Sequence, residues 1–421
     1  MKKFDQLGLN PQLLATVEEQ GYSSPTPIQE ASIPTILKGK DLFATAPTGT
    51  GKTAAFAIPL IQKMSDKPQK KVSTLILAPT RELAHQISDN FKKYASNSKL
   101  RITLIYGGVS QHRQVESLRR GCQVIIATPG RLLDLMQQGH VHLDGVKHFV
   151  LDECDRMLDM GFIGDIRKIG EHISDTQKQT LLFSATASQE IRTLSEELLN
   201  EPERIDIVPS EEHKPKIEQW LMAVSQKNKT ELLAEILEDQ EIDSAIVFTR
   251  TKYGADKLVK AIRAAGHTAC AIHGNKTQRE RTNNLESFKR GRDRVLVATD
   301  VAARGMDIPA LNYVVNFDMA EDPETHTHRI GRTGRAGRTG LAISFCSEGE
   351  YKHLKALHKL HGKDCMIEME HDFRIELASN NKREGSKKKG GKTSNRNRNN
   401  RRRNERRSGE NRSKKRSESF A

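Results

Sequence analysis

Three carboxylates surround a thiol where an apolar run ends: Asp152, Glu153, Cys154 and Asp155 follow "HFVL" directly. Such a group can do several kinds of chemistry. A thiolate among acids could ligate a metal, a cysteine could act as nucleophile, and a carboxylate pair could hold Mg²⁺. Acids also favour the first turn of a helix, which would need no chemistry at all. A second stretch narrows the choice. "APTGTGKT", Ala46 to Thr53, ends like a phosphate-binding loop, but Ala46 stands where the G-x-x-x-x-G-K-[ST] pattern starts with glycine. Gly49 and Gly51 let backbone amides approach a polyphosphate, Lys52 reaches the β- and γ-phosphates, and Thr53 can bind Mg²⁺. By itself this stretch could still be a glycine-rich surface turn. In nucleotidases with such a loop, a carboxylate at the end of a neighbouring strand holds Mg²⁺. Asp152 fits that role, and Glu153 is then placed to orient or deprotonate the attacking water. Hard Mg²⁺ has little use for sulfur, which leaves Cys154 as a small space-filling residue between two working acids.

These residues need a frame. A chain of 421 residues suggests two or three domains, and 36% hydrophobic content is low enough that part of the length is expected to stay unpacked. Short β-branched runs alternate with helical patterns through both halves. In the first half, strands are expected at "DLFATA", "STLILAP", "CQVIIATP", "HFVLDE" and "QTLLFSAT"; in the second, at "SAIVFTR", "TACAIHG", "DRVLVATD", "YVVNFD" and "LAISFC". Continuous apolar strands separated by helices imply parallel sheets covered by helices on both faces. The expected organisation is two α/β domains of similar plan, 1–208 and 217–368, joined by the polar linker 209–216. Ligands of such folds sit at the carboxyl ends of the strands, where these motifs repeatedly fall.

The net charge of +14 is unevenly placed. From Lys382 to Ala421 there are 17 Lys and Arg against 4 Asp and Glu, whereas positions 1–381 hold 51 basic and 50 acidic residues. "RNRNNRRRNERRSGENRSKKRS" has no aliphatic residue to bury, so 369–421 is expected to be a disordered basic tail. A dense basic run gains affinity for an anionic polymer by releasing condensed counterions. Cys122, Cys154, Cys270, Cys346 and Cys365 form no CxxC pair, which speaks against a zinc knuckle or a disulfide framework. Free thiols fit a reducing compartment, so a cytoplasmic location is expected. The first twenty residues are charged throughout and no apolar run approaches eighteen residues, so neither a signal peptide nor a membrane span is expected.

Nine stretches, "PTPIQ", "APTGTGKT", "PTRELA", "TPGR", "DECD", "SAT", "VFTRTK", "ATDVAARGMD" and "HRIGRTGR", resemble in order and spacing the motif set of DEAD-box RNA helicases. "FIGDIRKI", "VFTRTKYGA" and "AIHGNK" look like the bacterial RhlE-type branch, here with "DECD" as the variant of the name-giving motif. The match covers about residues 1–365 and leaves the tail outside. The resemblance implies two RecA-like domains, ATP and Mg²⁺ as cofactors, and RNA as partner. Ribosome assembly and RNA turnover are the settings that the family suggests.

The resemblance also implies roles that the bare residues do not assign. Gln29 would hydrogen-bond adenine, whose N6/N7 edge suits a side-chain amide, and Phe4 would stack on the ring. Taken alone, Phe4 reads as a core residue. Gly21, Tyr22 and Thr26 belong to the same adenine site, and Ala46, Pro47, Thr48 and Thr50 complete the phosphate loop. Ser184 and Thr186 would couple the nucleotide to the RNA-bound conformation, with Asp155 and His328 as polar partners. Standing alone, they are ordinary strand-end hydroxyls. Arg329, Arg332 and Arg335 recur at three-residue intervals on one helical face, in isolation a solvated basic face. The family points to Arg332 and Arg335 as arginine fingers, since an arginine supplied across a cleft stabilises transition-state charge only when the cleft closes. Asp307 would meet the ribose.

RNA contacts would come from Thr80, Arg81, Gly107, Gly108, Thr128 and Arg131 in the first domain. The second would use Arg250, Gln278, Arg281, Thr299 and Arg304. These groups suit phosphate and 2′-hydroxyl contacts, and an aromatic content of 5% speaks against a base-stacking platform. Three departures from the family pattern stand out. Pro47 replaces a glutamine, Cys154 replaces an alanine, and "PETHTHR" has Thr325-His326-Thr327 where "PETYVHR" is usual, losing a tyrosine near the cleft. The expected activity is ATP-driven local unwinding or remodelling of RNA. The alternatives are an RNA-stimulated ATPase acting on RNA–protein complexes and a tail-driven RNA-binding or annealing protein.

Truncation after Leu377 tests the tail, because it removes all 17 of its basic residues and none of the motifs. With roughly five tail charges on phosphates, the single-strand salt slope flattens by about 3.5 log units. Between about 50 and 200 mM salt, full-length protein then loses about 10²-fold more RNA affinity than the truncated one. Equal slopes would assign RNA binding wholly to the body.

Overall fold

The computed structural model describes residues 3–65, 71–174, 177–207, 216–303, 311–334 and 339–377. The expected tail from 378 onward and linker positions 209–215 lie outside them. The first lobe is a sheet of β1 (Leu42–Thr45), β2 (Thr74–Leu77), β3 (Ile102–Ile105), β4 (Val124–Ala127), β5 (His148–Leu151), β6 (Gln179–Ser184) and β7 (Glu203–Asp206). The second lobe has β8 (Lys216–Ala223), β9 (Ala245–Phe248), β10 (Ala269–Ile272), β11 (Val295–Ala298), β12 (Tyr313–Asn316), β13 (Thr339–Cys346) and β14 (Ile367–Glu368). Spatial order is β3-β4-β2-β5-β6-β1-β7 in one sheet and β10-β11-β9-β12-β13-β8-β14 in the other. Each second-lobe strand takes the place of the strand seven numbers earlier. One plan is used twice.

Alternation within the strands explains why both faces are covered. Ile76 points into one core with Val124, Ile126, Val150 and Phe183, while its neighbours Leu75 and Leu77 point into the other with Ile125, Phe149 and Leu182. Val247 and Val297 likewise face one core of the second lobe, and Ile246 and Leu296 the other. Each fully buried Leu, Ile or Phe stabilises by about 1.5–3 kcal/mol, so helices must cover both faces. Every strand pairing between these elements is parallel, the arrangement whose sheets are covered on both faces.

The ten expected strands are present, and four more appear that periodicity did not reveal. β3 alternates half-buried and buried residues, β7 is mostly exposed, and β14 has two residues, all three at sheet edges. These three are not buried along their whole length, although β10, also at an edge, is. β8 begins at Lys216, the last residue of the expected linker, which pairs with Thr339. The second lobe also runs past 368. The Met369 amide donates to the Leu221 carbonyl (2.9 Å), the Ile375 amide to that of Ala223 (3.0 Å), and Met369 and Phe373 pack on the core. Apolar residues at four-residue spacing thus carry the lobe to 377.

Position 326 lies inside the second lobe. His326 is buried on the helix Pro323–Ile330, with its Nε2 3.0 Å from Gln219 Oε1 on β8. The substitution read as a loss near the cleft therefore alters packing within one lobe. Burial, reinforced by the positive charge of Arg329, lowers its pKa to about 4. His148 at the start of β5 is its counterpart in the first lobe, also lowered to about 4 by burial and by Lys63. Both are neutral in the folded state at pH 7. Between about pH 6.5 and 4 the unfolded chain binds more protons, so stability is fully present above this window and falls as pH drops through it. Each histidine contributes on the order of 3 kcal/mol to that fall. In thermal melts at stepped pH, His326→Gln should flatten the acid-side decline; an unchanged profile would show that His326 does not drive it.

Candidate nucleotide and nucleic-acid site

β1 runs into the phosphate loop, where the Ala46 amide donates to the Ser184 carbonyl at the end of β6 (3.0 Å). Gly51 has φ +90°, and a Cβ there would lie 2.4 Å from Gln29 Nε2, so only glycine fits. Gln29 is fully buried. Its Oε1 accepts from the Thr26 amide (3.0 Å), and its Nε2 donates to the Gly51 carbonyl (3.2 Å). It thereby ties the start of the helix Pro27–Leu37 to the loop. Lys52 is buried and its ammonium donates to the carbonyls of Ala46 (2.5 Å) and Pro47 (3.1 Å). Burial pulls its pKa down, and the charges of Asp152 and Glu153 oppose that.

Asp152 stands at the carboxyl end of β5 and accepts from the Glu153 amide (3.0 Å). Burial, then the charge of Glu153, push its carboxyl up to about 7, with Lys52 opposing. Glu153 has φ +51°, a left-handed conformation rare for a non-glycine residue and typical of functional sites. It caps the helix Cys154–Asp159 and pairs with Arg156. Asp155 joins two strand ends: its Oδ2 accepts from the amides of Ala185 (3.0 Å) and Thr186 (3.2 Å), and its own amide donates to Ser184 Oγ (3.3 Å). Cys154 points the other way, into the core beside Leu151 and Met157, and burial raises its thiol pKa. No three His, Cys, Asp or Glu among the described residues are arranged to hold a metal ion.

A cleft of about 340 Å³ lies over these groups, lined by Gly49, Lys52, Thr53, Asp152, Glu153 and Arg156 of the first lobe and by Arg332 of the second. Thr48 and Tyr22 also line it. Phe4, expected on the adenine ring, is 6% exposed and packs edge-on against Tyr22, with ring centroids 6.3 Å apart. Tyr22 and Tyr94 both line the cleft, and their hydroxyls meet at 2.7 Å. Gly21 sits before it in a left-handed turn (φ +82°), and the Thr50 hydroxyl donates to the Pro47 carbonyl (2.8 Å).

The first-lobe residues expected on RNA converge at the ends of β2, β3 and β4, which are adjacent. Thr80 caps the helix Arg81–Tyr94, and the Arg81 guanidinium lies so close over Gly108 that a Cβ there would meet it at 2.1 Å. Arg131 donates to the Val109 carbonyl, just beyond Gly107 and Gly108 (3.3 Å), and Thr128 caps its helix. Burial, followed by the nearby charge of Arg281, lowers the Arg81 pKa. Arg81 stays cationic regardless, so this edge concentrates positive charge.

In the second lobe the expected RNA residues divide. Arg281 pairs with Glu82 of the first lobe at 2.8 Å, and Gln278 Nε2 donates to the same carboxylate at 3.2 Å. Both thus bridge the lobes, a use the sequence reading missed. The Arg250 amide donates to Asp318 (2.9 Å) and its guanidinium to Glu350 (3.1 Å). Behind it, fully buried Lys229 donates to Glu350 (2.6 Å) and to the Phe317 carbonyl (2.7 Å). Thr299 follows β11, its amide donating to the Ile272 carbonyl (3.3 Å). Arg329 and Arg332 do not share a helical face, because the helix ends at Ile330. Arg329 is buried in a two-point pair with Asp300 (2.6 and 2.8 Å), whereas Arg332 reaches the cleft. His328 is half-buried on the same helix. Arg304, Asp307 and Arg335 lie outside the described residues. Local sequence could have flagged Glu82, which sits inside "PTRELA", but nothing local marks Arg156, Lys229 or Glu350.

Comparison with known proteins agrees with this geometry. The family model described as DEAD/DEAH box helicase matches residues 26–194, and that described as Helicase conserved C-terminal domain matches 228–337. The DEAD-box ATP-dependent RNA helicase CshA of Geobacillus kaustophilus (strain HTA426) is 44% identical over 359 residues, 85% of this chain and 76% of that protein. The chain belongs to the DEAD-box helicase family. The helicase is similarly close to CshA of Listeria monocytogenes, 45% identical over 85% of this chain and 69% of that one. These matches do not support the narrower RhlE-type assignment. Among solved structures, Saccharomyces cerevisiae Dbp5 bound to RNA and ADP BeF3 superposes with a TM-score of 0.77 at 33% identity, covering 88% of this helicase and 96% of Dbp5. The two sheets are the two RecA-like domains of that architecture.

The position of Cys154 yields a direct test. Cys154→Ala should leave ATPase and unwinding of the helicase within about twofold, because a small buried group is replaced by one of similar volume. A collapse of activity would revive a role for the thiol.

Proposed function

We propose that this DEAD-box helicase hydrolyses ATP in the cleft between its lobes and uses the cycle to unwind or remodel RNA locally. The observation that carries the reading is that Lys52, Asp152 and Glu153 of one lobe and Arg332 of the other line a single cleft. Chemistry that needs all four depends on the position of both lobes. The domains are assigned to residues 1–208 and 216–377, with the basic segment beyond them.

The donor set fits a magnesium nucleotide. The Thr53 hydroxyl and the Asp152 carboxylate are hard oxygen donors, and burial leaves Asp152 short of compensating charge. Thr53 and Asp152 would hold Mg²⁺, which would supply charge neutralisation at the β- and γ-phosphates. Lys52 exchanges the carbonyls of Ala46 and Pro47 for phosphate oxygens, a stronger charge-assisted contact. Glu153 leaves Arg156 to orient and deprotonate the attacking water, and Arg332 stabilises the charge that develops on the γ-phosphoryl group. Gln29 has one amide hydrogen and one lone pair beyond its two bonds, enough for the N6/N7 edge of adenine. Arg335 and Asp307 complete the closed site. Asp155, bonded to the backbone after Ser184, carries the state of the cleft to the end of β6. Thr80, Arg81, Gly108 and Arg131 hold the RNA backbone with Arg250 and Thr299, while Gln278 and Arg281 brace the lobes through Glu82. ATP and RNA together favour the closed form, and hydrolysis releases it.

Glu153→Gln tests the assignment. ATP and RNA binding should persist while ATPase turnover falls by at least about 10²-fold, and strand separation, followed on a short duplex with and without ATP, should fall with it. Turnover near the parent rate would sink the role given to Glu153. ATP-independent strand separation by the parent would favour the annealing reading.

A further inference from the structure

Tyr253 is 73% exposed, an unusual position for a large ring with apolar faces. It is the second residue of the helix Lys252–Ala264, which follows β9 directly. It therefore stands at the carboxyl edge of the second sheet, three residues after Arg250, whose side chain is 44% exposed. The Lys252 ammonium lies 5.4 Å from the ring centroid and donates to Asn275 Oδ1 (2.9 Å) in the turn after β10. Lys252 forms no ion pair among the described residues. The nearby acid, Asp256, is occupied by Lys276 (3.0 Å) and by His273 (3.1 Å). The ring is thus an exposed π-face held beside an uncompensated cation.

We infer that Tyr253 stacks on a nucleobase of bound RNA while Lys252 and Arg250 hold the flanking phosphates. The inference rests on the RNA role given to Arg250. A protein partner is the weaker occupant, because Tyr253 is a lone aromatic framed by cations and not part of a contiguous apolar patch. A cation beside an aromatic ring is the usual composition of a single-strand platform, where phosphate and base are bound together. Such a contact tolerates any sequence, since every base has a π-face. It adds one base contact to an interface otherwise made of backbone-directed groups.

The test measures RNA affinity of the full-length protein with a single-stranded RNA oligonucleotide and with a series carrying one abasic residue at each position in turn. Tyr253→Ala should weaken binding of the intact oligonucleotide by about 5- to 150-fold, the range for losing one stacked base, and Tyr253→Phe should retain it. For the parent, one abasic position should cost a similar factor, and Tyr253→Ala should no longer respond to that position. Equal affinity for parent and Tyr253→Ala, or the same abasic profile in both, overturns the stacking contact and leaves the RNA role of Arg250 intact. If Arg250→Ala also binds like the parent, that underlying assignment falls too.

Discussion

The strands of each sheet run parallel, so each return must cross a face of the sheet, usually through a helix. All seven strands of each lobe therefore deliver their carboxyl ends to one edge, and many of the groups expected to do chemistry stand there. The phosphate loop follows β1, the caps of the Arg81–Tyr94 and Pro129–Gln137 helices follow β2 and β4, Asp152 follows β5, and Ser184 ends β6. The same order in the second sheet puts Arg250, Thr299 and Asp318 at the equivalent edge. Helix beginnings gather there too, so backbone amides point where phosphates would lie.

At the nucleotide edge, charged groups are held by one another and by the backbone. Lys52 rests on two carbonyls, Glu153 is paired with Arg156, and Asp152 is raised by burial. Each arrangement satisfies a buried charge imperfectly, and each can be exchanged for a stronger contact with phosphate, water or a hard cation. Burial of these groups in low dielectric makes the exchange matter, because the same charges in water would interact far more weakly.

The second lobe uses buried ion pairs differently. Lys229 with Glu350 ties together the segments after the adjacent strands β8 and β13, and Arg329 with Asp300 those after β12 and β11, across the intervening β9; both pairs are hydrogen-bonded. Losing one partner of such a pair leaves an unpaired buried charge, which costs about 3–5 kcal/mol. Glu350 accepts from Lys229, Ser347, Met319 and Arg250 at once, so the position of Arg250 is fixed from beneath. Between the lobes Glu82 receives both Arg281 and Gln278, and this contact forms only when the lobes are brought together.

The sequence determined whatever depends on neighbours along the chain. Apolar runs located ten of the strands, because these strands bury most of their own residues, β10 at a sheet edge included. The phosphate loop and the carboxylates after β5 were legible because their chemistry is set by short spacing, and the ordered motifs identified the family. Tertiary structure decided what depends on residues distant in the chain. Edge strands β3, β7 and β14 leave part or all of their length half-buried or exposed and are defined by the strand beside them. Gln278 and Glu82 are 196 positions apart and Lys229 and Glu350 are 121 apart, so no local pattern could pair them. Phe4 and Tyr22 are both aromatic near the adenine motif, and only packing decided that Tyr22 faces the cleft while Phe4 supports it. His326 looked like a cleft residue by its position in a motif, yet the register of its helix against β8 turned it inward. Composition reports what a side chain can do; the order of the strands decides what it meets.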